Sequence, residues 1–526
     1  MRKIATIDIE TDPFKYGRMP MPFACGFFDG QKYLQTWGDD CIAKMLKILS
    51  DIKEPHIIYA HNGGKFDYYY MSHEIKEPLN YINGRLVKAT LFKHEIRDSF
   101  KILPFKLSEY KKDDMDYELM EKENREKHKQ KITDYLRNDC IYLYELVYKF
   151  REQFGDALTI GTAAMNELKK RYIIPNITPS QDEIYREYFH GGRCECFAIG
   201  EIKGDLKLYD VNSMYPHVMD KFQHPVGPAD YTCKSLPNTD FYLANIIADS
   251  KGAFPIRKNG LQFPHGIGEF FVTSHEIKTA FRLGIAKIIE VKKCFAWNKT
   301  QTFSEFIRPF INKKIEAENN NDKIGRLLAK LITNNGYGKF AQNPERFDEY
   351  KLFQKLETCF KEKYTPCGFL GEFILAKKPA KIRENSYYNV ATAASITGAA
   401  RSVLLEAITN STNPIYCDTD SIVCENLNAE IDDVKLGAWK IETEFDTFYC
   451  AGKKLYTAQR NGSFYKDIKK EIPIKCAAKG VPIKPETIAQ IALGQAINVP
   501  IDAPSLHIGQ QEKFITRTIA RTGKTC

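Results

Sequence analysis

The sequence predicts a protein of several domains with mixed α-helical and β-strand structure. Its 526 residues are enough for two to four domains with large buried cores, and 43% hydrophobic and 27% charged residues are ordinary values for a globular chain. Runs that alternate like strands, such as RKIATIDIETD and LKLYDV, are separated by runs with helical spacing, such as ITDYLRNDCIYLYELVYKF and DKIGRLLAKLITNN. This pattern predicts a multidomain chain of the α/β and α+β classes.

Composition excludes several kinds of protein. No apolar run approaches the roughly 18 residues that a membrane-spanning helix requires, so no membrane partner is expected. The start, MRKIATIDIETD, contains acids too early for a signal peptide, which predicts a cytosolic location. The 14 cysteines include no CxxC pair, so neither disulfides nor a zinc knuckle is expected. Because no P-loop and no GxGxxG is present, a nucleotide would have to be held by metal ions and cationic side chains.

Positive charge is concentrated at the C-terminal end of the chain. The net charge is +9, and residues 451–526 contain 13 Lys or Arg against 5 Asp or Glu, so this segment carries +8 of the total. Such a segment predicts a separate lobe that meets phosphate groups, although a lobe that is only well solvated would have the same composition.

The first strand-like run brings two acids to one side of a sheet. In RKIATIDIETD, Asp8 and Glu10 are two residues apart and therefore face one side of the predicted strand, with Ile7 and Ile9 on the other. Neighbouring carboxylates can hold divalent cations, but a solvated surface pair is the more frequent reason for such a pattern.

Two later runs carry further candidate residues. HIIYAHNGGKFDYYYM predicts a strand that leads through a glycine turn to Phe66 and Asp67. ITDYLRNDCIYLYELVYKF predicts an amphipathic helix in which Tyr135 and Asp139 share a face because they are four residues apart. Between these runs, residues 111–131 are rich in charge, which predicts a solvated stretch.

In the order DIE, NGGKFD and YLRND, these runs resemble the three motifs of DEDD-type 3′–5′ exonucleases, which have an RNase H-like fold. The resemblance implies that four carboxylates hold two metal ions that activate a water, and that Tyr135 orients this water. The carboxylates are those of Asp8, Glu10, Asp67 and Asp139. A frayed single strand would be held by Asn62, Phe66 and Thr11 and, through the match of IRDSFK to a single-strand-binding motif, by Ser99 and Phe100.

The run YCDTDSIV places two acids, Asp418 and Asp420, among residues that favour a strand. On one strand both would face the same side and could hold divalent cations, whereas a plain surface hairpin is the alternative. LKLYDVNSMYPHVM predicts a further strand, which carries Asp210 and breaks into a turn at residues 213–216. Unpaired carboxylates are costly in a core, so their presence in apolar runs favours a metal site.

The helix predicted by DKIGRLLAKLITNNGYGKF has a polar stripe. Arg326, Lys330, Asn334 and Tyr337 have the spacing of one helical face, and glycines on both sides of Tyr337 allow another group to approach closely. A solvated face would also carry cations in this arrangement.

These stretches match, in order and spacing, motifs A (DxxSxYP), B (KxxxNxxYG) and C (YxDTDS) of family B DNA polymerases, which they resemble over nearly the whole chain. The exonuclease-like motifs precede them, as in that family. The resemblance implies a right-hand fold of palm, fingers and thumb. In it, Asp210 and Asp420 would bind two Mg²⁺ (or Mn²⁺) ions, and Asp418 would support that site.

The same resemblance implies a site for the incoming dNTP. Lys330 and Arg326 would clamp its triphosphate, in the motif that also contains Asn334. Tyr337 would pack on the nascent base pair, and Tyr215 would occupy the space of a ribose 2′ hydroxyl. Deoxynucleotides are therefore the expected substrate.

A closer resemblance is to the protein-primed branch of the family, found in small bacteriophages and linear plasmids. The chain is short for a family B polymerase, and residues 222–302 and 346–385 match in position the two insertions of that branch, one contacting the priming protein and one enclosing DNA. DNA contacts are implied for the KxY motif, the thumb motif IKCAAKG and the linker motif FHGG. The residues concerned are Lys454, Tyr456, Lys475, Gly191 and Gly192.

The second insertion also has a composition suited to nucleic acid. It interleaves basic residues such as Lys351, Lys377 and Arg383 with aromatic ones such as Tyr350 and Phe369. This pattern predicts a strand that grips a phosphate backbone, although a hairpin with its own aromatic core would look similar.

Four positions depart from the family pattern. Phe189 replaces the tyrosine of the linker motif YxGG, and motif B has Asn and Gly at residues 335–336 where Ser and Leu are usual. A lysine that the branch places before motif B falls on Glu318, so Lys313 or Lys314 is expected to substitute for it.

The predicted domains are an exonuclease domain at residues 1–185 and a polymerase domain at residues 186–526. The latter comprises a palm with an insertion at 222–302, fingers at 303–345, a second insertion at 346–385, further palm at 386–445 and a basic thumb at 446–526.

The predicted function is DNA-directed replication of a linear viral or plasmid genome by protein priming, with 3′–5′ proofreading and strand displacement. We expect a monomer in the cytoplasm of the host cell, with template and primer DNA, a terminal protein and a single-stranded DNA-binding protein as partners. A DNA-primed family B repair polymerase and an inactive DNA-binding replication scaffold are the alternatives. A reverse transcriptase is disfavoured, because it would have adjacent acids in place of Asp418-Thr419-Asp420.

Overall fold

The computed structural model describes residues 2–14, 18–111, 113, 115–382, 386–478, 480–505, 508–509 and 513–522. Arg383, which we counted among the basic residues of the second insertion, lies outside these ranges. Within them, the chain forms two seven-stranded sheets and several smaller ones.

The N-terminal part is built on a seven-stranded sheet of order β3-β2-β1-β4-β7-β6-β5, in which β1, β4 and β7 are parallel. Its strands are β1 (Lys3–Thr11), β2 (Pro22–Phe28), β3 (Tyr33–Trp37), β4 (His56–Ala60), β5 (Ile75–Ile82), β6 (Arg85–Leu91) and β7 (His94–Asp98), and its helices are α1 (Cys41–Asp51), α2 (Lys129–Phe154), α3 (Ile160–Lys169) and α4 (Pro179–Arg186). On one face Ile7 and Ile9 pack with Met45 of α1. On the other, Thr6 donates a hydrogen bond to the Cys140 carbonyl of α2. The alternation predicted for β1 is confirmed, and its acids lie on the α2 side.

The next part contains a strand of the second large sheet and the first insertion. Its elements are β8 (Cys194–Cys196), β9 (Gly200–Val211), α5 (Met214–Lys221), β10 (His224–Pro225), β11 (Tyr231–Cys233), β12 (Phe241–Lys251), β13 (Ile256–Arg257), β14 (Leu261–Gln262), β15 (His265–Thr273), α6 (Ser274–Arg282), β16 (Ala286–Trp297) and β17 (Thr300–Gln301). The insertion forms a sheet of order β11-β16-β12-β15, and one face of it packs against α6.

A helical hairpin and a small sheet follow. The elements are α7 (Ser304–Asn319), α8 (Lys323–Asn335), β18 (Asp348–Phe353), α9 (Leu356–Lys361), β19 (Thr365–Leu370) and β20 (Phe373–Pro379). The predicted helix of motif B is confirmed, but it ends at Asn335, and Tyr337 lies in a 3₁₀ turn that follows. Gly336 is the residue that follows the last turn of this helix.

The remaining chain completes the second seven-stranded sheet, of order β29-β26-β25-β9-β23-β22-β8. Its elements are α10 (Val390–Thr409), β21 (Ser411–Thr412), β22 (Tyr416–Asp418), β23 (Ser421–Cys424), β24 (Asn426–Leu427), β25 (Trp439–Gly452), β26 (Leu455–Gln459), β27 (Tyr465–Asp467), β28 (Ile472–Pro473), β29 (Cys476–Ala478), α11 (Pro485–Ala492), β30 (Ile497–Ser505) and β31 (Lys513–Ile519). Side chains from α5, α7, α8 and α10 cover one face of this sheet.

Motif C differs from the expectation of one continuous strand. Asp418 pairs with Ser421 across a two-residue turn, and Thr419 has a φ of 59°. The prediction that Asp418 and Asp420 face one side of a single strand is therefore wrong: Asp418 ends β22 and Asp420 lies in the turn. The period-two argument failed because the left-handed backbone at Thr419 reverses the chain between the two acids.

The second insertion contacts the N-terminal sheet and the C-terminal part of the chain. The ring of Tyr350 lies 4.5 Å from that of Tyr81 on β5. The Phe369 amide donates to the Gly509 carbonyl at 2.5 Å, and the Tyr81 hydroxyl donates to the Ile508 carbonyl at 3.1 Å. Residues 508–509, the second insertion and the N-terminal sheet therefore meet at one place.

Candidate active sites

The first site lies between β1 and α2. Asp8 and Glu10 come from β1 and Asp139 from α2, and each offers a carboxylate oxygen within 4.8 Å of the others. Among the described residues, this is the only group of three such side chains placed to share a metal ion. The strand fixes two acids on one face, and the helix brings the third to that face. The structure thus brings together three of the four acids predicted for this site.

Asp67 lies beside this group without belonging to it. It is buried in a 3₁₀ turn after β4, and its Oδ1 accepts a hydrogen bond from the Ile9 amide at 3.1 Å. The two glycines before it are required by space, because a Cβ on Gly64 would lie 1.8 Å from the Leu86 carbonyl oxygen of β6. The NGG turn therefore folds under β6 and presents Asp67 to β1.

The electrostatics of this group favour a bound cation. Burial, followed by repulsion from Asp139 and Asp67, raises the pKa of Glu10 to about 8. Burial also raises the pKa of Asp67 to about 7, and burial and the other three acids raise the pKa of Asp8. In the described part of the chain no cationic side chain pairs with Asp8, Glu10 or Asp67. Oxygen donors in such a set fit a hard divalent ion.

Tyr135 lies one helical turn before Asp139 and is buried. Its hydroxyl is 3.4 Å from that of Tyr117, and burial and the charge of Asp139 raise its pKa. The described part of residues 111–131 is therefore not fully solvated, because Met115 and Met120 are buried next to α2. Sequence reasoning missed Tyr117, which the high charge of this stretch concealed.

The residues expected to hold a single strand divide into two groups. Asn62, Phe66 and Phe100 are partly exposed, and the Phe66 ring lies 5.5 Å from that of Tyr70. Thr11 and Ser99 are buried. The Thr11 hydroxyl donates to the Asp12 carbonyl, and the Ser99 hydroxyl donates to the Ala60 carbonyl.

The second site lies at the centre of the second large sheet. Asp210 of β9 pairs with Ser421 of β23, and the Val211 amide donates to the Asp420 carbonyl at 2.8 Å, so Asp210 and Asp420 are held side by side. Burial, followed by repulsion from Asp210 and Asp418, raises the pKa of Asp420 to about 6. This arrangement of partly buried like charges also fits a divalent cation.

Lys440 is a member of this site that the sequence did not reveal. It lies opposite Asp210 in the pairing of β25 with β9, and its Nζ is 3.6 Å from Asp210 Oδ1. Burial raises the pKa of Asp210, and Lys440 opposes that shift. A register between strands far apart in sequence carries no local signal.

Asp418 is bound by the KxY motif. Lys454 Nζ donates to its two carboxylate oxygens at 2.8 and 3.0 Å, and the Tyr416 hydroxyl donates to Oδ2 at 3.3 Å. Tyr456 is 6% exposed, with its ring 4.8 Å from that of Tyr416. Lys475 of the thumb motif pairs with Glu442 at 2.7 Å.

The linker motif FHGG packs against the turn of motif C. The Thr419 amide donates to the Arg193 carbonyl at 2.7 Å, and a Cβ on Gly192 would lie 2.5 Å from Thr419 Oγ1. A Cβ on Gly191 would meet open space. Arg401 of α10 donates to the His190 and Gly191 carbonyls and is a further residue that sequence reasoning missed.

Motifs A and B meet through two tyrosines. The rings of Tyr215 and Tyr337 stack with centroids 4.0 Å apart. Asn334 is partly buried nearby on α8, and Lys330 is exposed with no ion pair among the described residues. Arg326 pairs with Glu318 at 2.7 Å.

Lys313 and Lys314, the two lysines expected to substitute for the family's lysine at the position of Glu318, have different surroundings. Burial lowers the pKa of Lys314, and the charges that act on it are those of Glu318, Arg326, Lys330 and Lys440. Lys314 therefore lies close to these two cations of α8 and to Lys440. The Lys313 ammonium lies 5.3 Å from the Phe310 ring and lines a cavity with Gln153 of α2.

Comparison with known proteins defines the class of this chain. Residues 108–433 match the family of type B DNA polymerases described as organellar and viral. The chain belongs to this family and is a DNA-directed DNA polymerase, which as a class uses deoxynucleoside triphosphates, a divalent metal ion and a DNA template. No helix in the described ranges is long and apolar enough to cross a bilayer.

Two relatives locate it within the family. It is 39% identical to the DNA-directed DNA polymerase of Enterobacteria phage PRD1, over 99% of this chain and 98% of the relative. It is 25% identical to the DNA polymerase of Bacillus phage phi29, over 74% of this chain and 73% of the relative. A crystal structure of phi29 DNA polymerase has the same fold, with a TM-score of 0.72 at 17% identity and with 99% and 100% of the two chains covered. The predicted family and the predicted multidomain fold are confirmed.

Proposed function

We propose that this polymerase replicates a linear viral or plasmid genome by protein priming and proofreads with its own 3′–5′ exonuclease. The observation that carries the proposal is the presence of two acid clusters on two different sheets. Asp210 and Asp420 are joined by the pairing of β9 with β23, and Asp8, Glu10 and Asp139 converge between β1 and α2. Two clusters of this kind suit two reactions on one substrate, extension and removal of a 3′ end.

At the polymerase site, Asp210 and Asp420 would hold two Mg²⁺ or Mn²⁺ ions, with Asp418 in support. Bound there, such ions lower the pKa of the attacking hydroxyl and neutralise charge on pyrophosphate. Lys330, Arg326 and Lys314 would bind the triphosphate, since the three cations lie close enough for the first two to act on the third.

The remaining residues of this site would act on the sugar, the base and the primer. Tyr215, held by its stack on Tyr337, would exclude a 2′ hydroxyl. Tyr337 would pack on the nascent base pair. The exposed Lys454, Tyr456 beneath it, Lys475 and the linker glycines Gly191 and Gly192 are proposed contacts of the primer strand.

At the exonuclease site, Asp8, Glu10, Asp67 and Asp139 would hold the metal ions, and Tyr135 would orient the attacking water. Its buried hydroxyl and raised pKa keep it a neutral hydrogen-bond donor. Asn62, Phe66 and Phe100 would hold the unpaired end, and Thr11 and Ser99 would shape this binding site from beneath. Residues 1–185 are the proposed exonuclease domain and residues 186–526 the polymerase domain.

The contacts of the second insertion support a further property, processive synthesis with strand displacement. The insertion touches both the N-terminal sheet and residues 508–509, and this closed arrangement would enclose DNA. Deleting residues 350–380 should leave single-nucleotide addition on a short primed template nearly intact. Products on long templates should shorten under enzyme dilution. If the folded deletion variant still made long products in one binding event, the second insertion would not be the processivity element.

Protein priming is supported by the insertion at residues 222–302, which forms its own sheet beside α10. The test incubates the enzyme with a labelled dNTP and the protein encoded by the neighbouring gene. A covalent protein–nucleotide product that requires this second protein is expected. Extension of annealed oligonucleotides with no labelled protein would instead favour a DNA-primed repair polymerase. A matched reaction with Asp420→Asn should give no label, because the same acids would serve priming and extension.

A further inference from the structure

Arg85 links two of the residues proposed to hold single-stranded DNA, Asn62 and Phe100. It begins β6, and its Nη1 donates to Asn62 Oδ1 at 2.6 Å and to Asp98 Oδ2 at 2.7 Å. Its guanidinium carbon lies 4.8 Å from the centroid of the Phe100 ring. The Arg85 side chain is 12% exposed and that of Asp98 is fully buried. One cation therefore contacts both an amide and an aromatic ring of the proposed strand-binding set.

Asp98 anchors this arrangement from beneath. Its Oδ1 accepts the Phe100 amide at 2.9 Å while its Oδ2 accepts Arg85. Asn62 adopts a left-handed backbone with a φ of 65°, so its side chain leaves the chain in a direction fixed by the NGG turn. The bond from Arg85 then determines which end of the amide faces the strand, because it occupies Oδ1 and leaves the Nδ2 group to donate.

We propose that Arg85 is a positioning residue for single-strand binding, which orients the Asn62 amide and the Phe100 ring toward the unpaired 3′ end. The inference rests on the proposed exonuclease. A guanidinium suits this task, because its Nη1 donates to both acceptors while the planar group lies over the Phe100 ring. A lysine ammonium would keep the charge and lose this geometry.

Lys101 provides a matched control for charge. It lies near Arg85, since burial and then the Arg85 charge lower the Lys101 pKa. Among the described residues it has no ion pair and no side-chain hydrogen bond. Substituting it removes one positive charge from the same surface and leaves the bonds to Asn62 and Asp98 in place.

The test measures exonuclease kinetics on a single-stranded oligonucleotide for the parent, Arg85→Lys and Lys101→Gln. For Arg85→Lys, KM should rise about three- to tenfold, while kcat stays within about twofold, because the loss is of one or two oriented contacts. For Lys101→Gln, a smaller rise in KM should shrink further as salt increases, as expected of a contact with phosphate. Polymerisation on a primed template should match the parent in both variants.

The double variant Arg85→Gln with Asp98→Asn is a control for misfolding. It removes both members of the ion pair, so no unpaired charge stays buried. It should raise KM at least as much as Arg85→Lys. An unchanged KM in Arg85→Lys would overturn the proposal. So would a rise in KM that has the same size and the same salt sensitivity in Arg85→Lys and in Lys101→Gln. Joint loss of polymerisation and thermal stability in both Arg85 variants would also overturn it, in favour of a purely structural role. A parent without exonuclease activity would instead contradict the proposed function.

Discussion

The rings of Tyr215 and Tyr337 stack almost parallel, at a centroid distance of 4.0 Å and an interplanar angle of 16°. Tyr215 follows the strand that carries Asp210, and Tyr337 follows α8, which carries Lys330. The stack therefore connects the residue proposed to exclude a 2′ hydroxyl with the helix proposed to bind the triphosphate. Tyr337 holds the ring of Tyr215 in one orientation, as steric exclusion requires.

Tyr215→Val should weaken discrimination against ribonucleotides. The smaller side chain leaves room for a 2′ hydroxyl, so the ratio of kcat/KM for dNTP over rNTP should fall on the order of tenfold or more. Single-nucleotide insertion kinetics with matched dNTP and rNTP measure this ratio. Equal losses for the two substrates would assign Tyr215 a packing role.

Lys314→Gln should impair nucleotide binding more than Lys313→Gln. The charges of Arg326, Lys330 and Lys440 act on Lys314, so its loss from this cationic group should raise KM for dNTP by about tenfold, typical of a charged hydrogen bond. Lys313, beside Phe310, serves as the matched control, and its KM should change by less than about twofold. The reverse order of effects would assign the triphosphate contact to Lys313.

Gly192→Ala should reduce polymerisation much more than Gly191→Ala. The new methyl group at residue 192 would overlap Thr419 and displace the turn that carries Asp420, whereas residue 191 faces open space. Adding Thr419→Gly should restore activity, because all three clashing atoms belong to the Thr419 side chain and glycine accepts the φ of 59° there. Primer extension by the four proteins tests this, and no rescue by the second change would locate the damage elsewhere.

The metal-free enzyme should lose stability as pH rises from about 5 to about 8. The pKa of Glu10 is raised from 4.5 to about 8 and that of Asp67 from 3.8 to about 7, so the folded state binds these protons more tightly than the unfolded state. Their stabilising effect is complete at low pH and is lost as pH rises through the raised values. Thermal melting in chelator should show this decline, and Mg²⁺ or Glu10→Gln should flatten it. A parent and a Glu10→Gln variant with identical slopes in chelator would contradict the assignment.

The elements with strong local patterns were predictable from sequence, and those set by long-range pairing were not. β1 and α2 followed from the alternation around Asp8 and the spacing of Tyr135 and Asp139. The turn at Thr419 was missed, because residues that favour strands flank it on both sides. Lys440 was missed for a different reason: its place beside Asp210 depends on the register of β25 with β9, which no local pattern records.

The central claim is that one chain carries two separate sites that use different acids. Asp420→Asn and Asp8→Ala, measured side by side for primer extension and for degradation of single-stranded DNA, test it most directly. Asp420→Asn should lower incorporation by on the order of a thousandfold or more and leave degradation intact, and Asp8→Ala should do the opposite. Each variant should melt at the same temperature as the parent, which shows that it is folded. Loss of both activities from either folded variant would contradict the two-site account.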